Sequence, residues 1–133
     1  MADYTHKNLR NDVEDMAPQY GLGPIMEARF ARVALECART GISYQKLAPS
    51  ARVPFGHRHA EQEEIYVVLS GSGRAKVGDE IVDLRPLDAL RVAPTTFRAV
   101  EAGPDGLEFI AFGGPRGLQD DTEMQQDWWV GQA

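Results

Sequence analysis

The sequence predicts an all-β domain closed into a barrel or sandwich, and three observations point there. Residues 41–113 break into many short strand-like runs with turn residues at near-regular spacing. No long stretch with helical periodicity interrupts them. One run, residues 64–69 (Glu-Ile-Tyr-Val-Val-Leu), is apolar on both faces and rich in β-branched and aromatic side chains, as expected of a strand in a filled wall.

The elements follow in order. Residues 1–40 form an N-terminal arm, in which Pro18, Gly21 and Gly23 break regular structure. Within it, Met26, Phe30, Val33 and Leu35 alternate with charges in a way that suits a short helix or an arm leading into a first strand. Residues 42–47 (Ile-Ser-Tyr-Gln-Lys-Leu) alternate with period two, the pattern of a half-buried strand, before Pro49 and Ser50 break it. The 64–69 strand is expected to stop at Gly71 and Gly73. Residues 74–77 and 80–84 read as a hairpin about Gly78-Asp79. Pro86, Leu87 and Asp88 make another break before a strand at 89–92. Two further strands, 97–100 and 107–112, are expected on either side of a turn at Gly103-Pro104-Asp105-Gly106. The polar tail, 114–133, ends in Trp128-Trp129, whose indoles need apolar cover on the barrel or across a partner interface.

The whole-chain balance narrows the classes. With 133 residues and 43% hydrophobic content the chain fits one domain with a real core. Twenty acidic against fourteen basic side chains give a net charge of −6. That disfavours nucleic acid and anionic membranes, both of which are bound through Lys and Arg. Cys37 is the single cysteine, so an internal disulfide is excluded; it reads as a small buried hydrophobe or a reactive thiol. The polar N-terminus lacks an apolar leader core, and no run is long enough to span a bilayer, so the expected location is cytoplasmic.

Chemistry concentrates at Gly56-His57-Arg58-His59-Ala60-Glu61-Gln62-Glu63-Glu64. On an extended strand His57 and His59 point to one side, and a carboxylate after a turn completes a set of three ligands. Two imidazoles and a carboxylate suit Fe, Mn, Ni, Co or Zn as divalent ions and leave open coordination positions. The order His57, one residue, His59, four residues, Glu64, six residues, Gly71 resembles the first motif of the cupin superfamily, and the resemblance extends over about residues 41–113. It implies a double-stranded β-helix (jelly-roll) barrel with the arm and tail appended, and a homodimer.

In the second motif the family carries a histidine a few residues after a proline. Here, after Pro94, Arg98 stands in that place. A glycine that usually precedes the aspartate between the motifs is replaced by Leu87 before Asp88. Two states of the cluster therefore stand side by side. In one, His57, His59 and Glu64 hold a divalent transition metal and Arg98 orients an anionic ligand. In the other there is no metal, and Arg98 pairs with Glu64. Tyr66 and Val68 share the strand face of Glu64 and are expected to line the same small-molecule pocket. The fold alone leaves three functions open: a metal-dependent oxygenase, isomerase or lyase; a metal-free small-molecule binding module; and a non-catalytic scaffold acting through its tail.

Overall fold

The structure is a computed structural model that describes residues 3–116 and 120–132. Its strands are β1 (Met26–Phe30), β2 (Gly41–Leu47), β3 (Gly56–His59), β4 (Glu63–Val77), β5 (Glu80–Leu84), β6 (Ala89–Val92), β7 (Arg98–Gly114) and β8 (Thr122–Gln125), all in one curled sheet. A single 3-10 turn, Ala17–Tyr20, precedes them. The all-β expectation holds.

Two long antiparallel strands, β4 and β7, run the height of the molecule and organise the rest. At one end, β7 residues 107–113 lie between β2 and β4, with β1 outside β2 and β6 outside β4. At the other end, residues 98–102 of β7 pair with 73–77 of β4, flanked by β5 on one side and by β3 and β8 on the other. Both halves contribute to one core. Leu47, Tyr66, Val68, Val92, Leu107 and Phe109 come from the first, and Ala75, Leu84, Val100 and Ala102 from the second. Sharing that core is what makes two sheet halves one domain.

The joint between the halves corrects two expectations. Gly71 and Gly73 do not end the strand, and residues 103–106 do not separate two strands. Instead β4 and β7 run through, with Gly71 paired to Leu107 and Gly73 to Ala102, so that 103–106 lie opposite Ser72 alone. Just before this, Val68 pairs with Phe109 and Ser70 with Glu108, which leaves Leu69 as an extra residue. The turn-forming residues are thus spent on bulges, which bend a strand without ending its pairing. Gly71 has φ +79°, and a Cβ there would sit 2.1 Å from the carbonyl oxygen of Gly106, so no other residue fits without moving backbone.

The arm settles an alternative that its pattern left open. Residues 26–30 are strand rather than helix, paired from Met26–Leu47 to Phe30–Ser43. Met26 and Ala28 are buried while Glu27 and Arg29 face outward and pair with each other. That is period two. The helical spacing drawn through Phe30 and Val33 joined residues that are 49% and 81% exposed. The hairpin at Gly78-Asp79 forms as expected, with Gly78 at φ +58°. In the 86–88 break Leu87 takes φ +70°, a conformation that glycine adopts more readily. Cys37 is half-buried.

The described residues of the tail are structured. Residues 122–125 add β8 to the edge of β3, and Trp128 and Trp129 are buried by this chain, at 8% and 5% exposure. Their indole N–H groups donate to the carbonyls of Lys76 and Val53, at 3.3 and 2.7 Å. Gly56 makes room for this packing, since a Cβ there would lie 2.8 Å from the Trp128 ring.

Candidate metal centre

Strand alternation places the two histidines. β3 pairs with β8 through His57–Met124 and His59–Thr122, and His57 also faces Arg98 across to β7. Arg58, between them, turns the other way, over the Phe97 ring at 4.5 Å and onto Glu123 at 2.9 Å. The imidazoles meet edge to face with centroids 5.2 Å apart. Glu64 enters from β4, on the same face as Tyr66 and Val68. The potential ligand atoms of His57, His59 and Glu64 all fall within 4.8 Å of one another. The sequence-predicted trio is brought together.

One oxygen, Oε1 of Glu64, is the centre of this arrangement. Arg98 Nη2 and the Tyr66 hydroxyl each donate to it at 3.0 Å, and His57 Nε2 lies 3.2 Å away. His59 Nε2 is 3.3 Å from it but makes no hydrogen bond, although it is buried. The other ring nitrogen of His59, Nδ1, lies 2.8 Å from Oδ1 of Asp121. Nothing in the sequence singled out Asp121. It sits 62 residues away in a polar run, and only the pairing of β8 with β3 brings it in.

Arg98 is fully buried. Besides Glu64 it donates to the carbonyls of Thr96 and Pro94, at 2.7 and 3.2 Å, and weakly to the Tyr66 hydroxyl at 3.4 Å. These bonds make it a bracket for Glu64. Val68, at 1% exposure, packs with Leu47 and Phe109 in the core beneath the cluster, while Tyr66 reaches it through its hydroxyl. The cluster opens at His57, whose side chain is 28% exposed, against 7% for His59 and 15% for Glu64.

The protonation energetics follow from these contacts. Burial alone would raise the Glu64 carboxyl, but the two imidazoles, His57 foremost, and the Arg98 charge outweigh it and hold the group well below the usual carboxylate range. For His59 burial favours the neutral ring. The neighbouring carboxylates, Glu64 first and then Asp121, outweigh that and raise its pKa. Asp121 is held down at about 2, because the His59 ring and the backbone N–H groups of Glu61 and Gln62 overcome the cost of burial. The Tyr66 hydroxyl is pushed above its ordinary value by burial and by Glu64. The site is thus built around carboxylates kept ionised, facing nitrogen donors that attract cations.

Two imidazoles and a carboxylate are a donor set of the kind that holds a divalent transition ion, and two of its separations match one. Ligand atoms about 2.1 Å from a metal stand about 3.0 Å apart at right angles and about 3.4 Å apart at tetrahedral angles. The His57–Glu64 and His59–Glu64 separations, 3.2 and 3.3 Å, fall in that interval. The buried, unpartnered Nε2 of His59 is the kind of atom that an ion would satisfy.

Known proteins agree with this architecture. A cupin protein from Bacteroides fragilis superposes with a TM-score of 0.70 at 26% identity, over 90% of this chain and 91% of its own. Oxalate decarboxylase from Bacillus subtilis gives 0.73 at 20% identity, over 97% of this chain and 35% of that one. A nucleoside dehydratase from Streptomyces gives 0.74 at 13% identity, over 92% of both chains. At such identities the last two share the fold and nothing more specific. No protein of curated function matches the sequence. The family profile described as "Cupin domain" matches residues 43–111, more than half of the 133 residues. With that match, the motif at His57, His59, Glu64 and Gly71, and a jelly-roll barrel formed around it, the chain belongs to the cupin family.

Proposed function

We propose that this cupin is a metal-dependent enzyme acting on a small molecule, with His57, His59 and Glu64 as the protein ligands of a divalent transition ion. The observation that carries this reading is the Nε2 of His59. It is buried and makes no hydrogen bond, and it lies 3.3 Å from Oε1 of Glu64, so two potential ligand atoms stand side by side. Such an ion supplies Lewis-acid polarisation of a substrate oxygen, or activation of bound water, at the positions the three side chains leave open.

The chain's own residues do the rest. Arg98 and Tyr66 hold Oε1 of Glu64 from behind, fixing the carboxylate before any ligand arrives. Because Arg98 is fully buried and already bonded to Glu64, Thr96 and Pro94, it acts through Glu64 rather than on the substrate. The half-exposed edge of His57 is the side from which a ligand approaches, since the floor below Glu64 is filled by Tyr66 and Val68. The two enzymes with the same fold, an oxalate decarboxylase and a nucleoside dehydratase, differ in substrate and neither substrate carries over.

Elemental analysis of untagged protein reconstituted with Fe, Mn, Ni, Co or Zn tests the proposal. About one equivalent of metal is expected, lost in His59→Ala. Less than about a tenth of an equivalent with every ion would overturn it.

The Arg98–Glu64 contact at 3.0 Å supports a second reading, a metal-free binding module in which the guanidinium already neutralises the carboxylate. Its mark would be a metabolite-induced rise in melting temperature that survives EDTA.

A further inference from the structure

We infer that Asp121, delivered by the C-terminal segment, is a positioning residue for His59 and sets how tightly the cluster takes up a divalent ion; this rests on the metal reading above.

The carboxylate is held at three points. Oδ1 faces His59 Nδ1 at 2.8 Å, and Oδ2 accepts the backbone N–H groups of Glu61 and Gln62 at 3.0 and 3.2 Å. Its place is set by the β3–β8 ladder, in which Thr122, the next residue, pairs with His59 itself. Asp120 is turned elsewhere, accepting the N–H and hydroxyl of Thr122 at 3.0 and 2.6 Å. The contact is therefore specific to one carboxylate and one ring nitrogen.

Its chemical consequence is the choice of tautomer. Both neighbouring carboxylates only accept hydrogen bonds, but Asp121 forms one at 2.8 Å whereas Glu64 stands 3.3 Å from Nε2 without one, so in the neutral ring Nδ1 carries the hydrogen. In the neutral ring that leaves the lone pair on Nε2, the atom that is buried, unpartnered and turned toward Glu64. Without Asp121 the hydrogen is free to move to Nε2 and bond to Glu64 Oε1. The imidazole would then be unable to ligate. Gln62 and Thr122 also approach Nδ1, but at 3.4 Å, too far to hold the tautomer as firmly. All four residues of β8 are exposed, so the strand adds little core; what it brings to the domain is the strap that carries Asp121.

The test compares wild type with Asp121→Ala and with Glu123→Ala, which removes a β8 side chain paired with Arg58 and leaves the His59 contact intact. Zinc affinity is measured on untagged protein by competition with a chromogenic chelator. Nitrogen NMR of the His59 ring in the metal-free protein at alkaline pH reports the tautomer. Asp121→Ala should weaken zinc binding about 10- to 100-fold and Glu123→Ala less than about twofold, the usual scale for an outer partner of a ligating histidine. Wild type should show hydrogen on Nδ1, and Asp121→Ala a mixture. An unchanged affinity in Asp121→Ala, or hydrogen on Nε2 in wild type, would overturn the inference. If wild type binds no zinc the metal reading fails by itself, and the tautomer still decides the role of Asp121. Should Asp121→Ala not fold, Asp121→Asn keeps an acceptor oxygen and removes the charge. A weakening of several-fold is then expected, and none would count against the inference.

Discussion

Arg98 and Glu64 form a closed ion pair at 3.0 Å between a guanidinium side chain with 1% exposure and a carboxylate side chain with 15%. Taking away one member of a buried pair leaves the other's charge poorly solvated. Arg98→Met should therefore cost about 3 kcal/mol of stability in the metal-free protein. A divalent ion should restore part of this, because it supplies positive charge to the same carboxylate. Urea unfolding with and without zinc measures both quantities. A loss below about 1 kcal/mol would show that the two histidines already suffice for Glu64.

Metal removal should be visible as stability. An ion present at a hundredfold excess over its dissociation constant stabilises the folded state by about 2.7 kcal/mol, which EDTA should abolish. His59→Ala and Glu64→Gln should unfold at the same temperature with or without the ion. A metal-induced shift that persists in both variants would place the ion elsewhere.

Gly56 and Trp128 make a third, purely steric prediction. A methyl group at position 56 would lie 2.8 Å from the indole, so Gly56→Ala must displace the ring or the strand that carries His57. Overpacking of this kind costs about 1–3 kcal/mol. Tryptophan emission should shift to the red as the ring moves toward water. Unchanged emission together with unchanged stability would mean that the tail does not pack as described.

Glu101 supplies a pH dependence whose sign can be worked out. Burial would raise its carboxyl, but Arg74 and Arg52 hold it below the ordinary value of 4.5, and both guanidinium groups lie over the Trp129 ring, at 5.9 and 4.5 Å. A carboxyl with a depressed folded pKa contributes stability that is present above its unfolded value. That contribution is lost as pH falls through the folded value. Glu101→Gln should cost about 1 kcal/mol near neutrality. The gap to wild type should close as pH drops below about 4.5. Parallel curves at all pH values would refute the assignment.

How much of this was legible in the sequence can be traced residue by residue. The strand 64–69, the hairpin at Gly78-Asp79 and the spacing His57, His59, Glu64, Gly71 all appear where they were read, because period two and turn chemistry are local properties. The glycines were misleading under the same local rules, since Gly71 and Gly73 pair with Leu107 and Ala102 and leave 103–106 as an irregularity opposite Ser72. A bulge is a property of the pair, and neither strand alone reveals it. Residues 26–30 were ambiguous for a similar reason, as five residues carry too little periodicity to separate strand from helix.

The sequence by itself determined the all-β class and that His57 and His59 share a face, because alternation along a strand is a local property, while the resemblance of its spacing to the first cupin motif singled out Glu64. Tertiary structure decided which oxygen they meet at, that Arg98 braces Glu64, and that Asp121 holds His59 from 62 residues away. Those contacts depend on strand register and on how the tail folds back, which arise from the burial of the whole core and have no counterpart in any short stretch of chain.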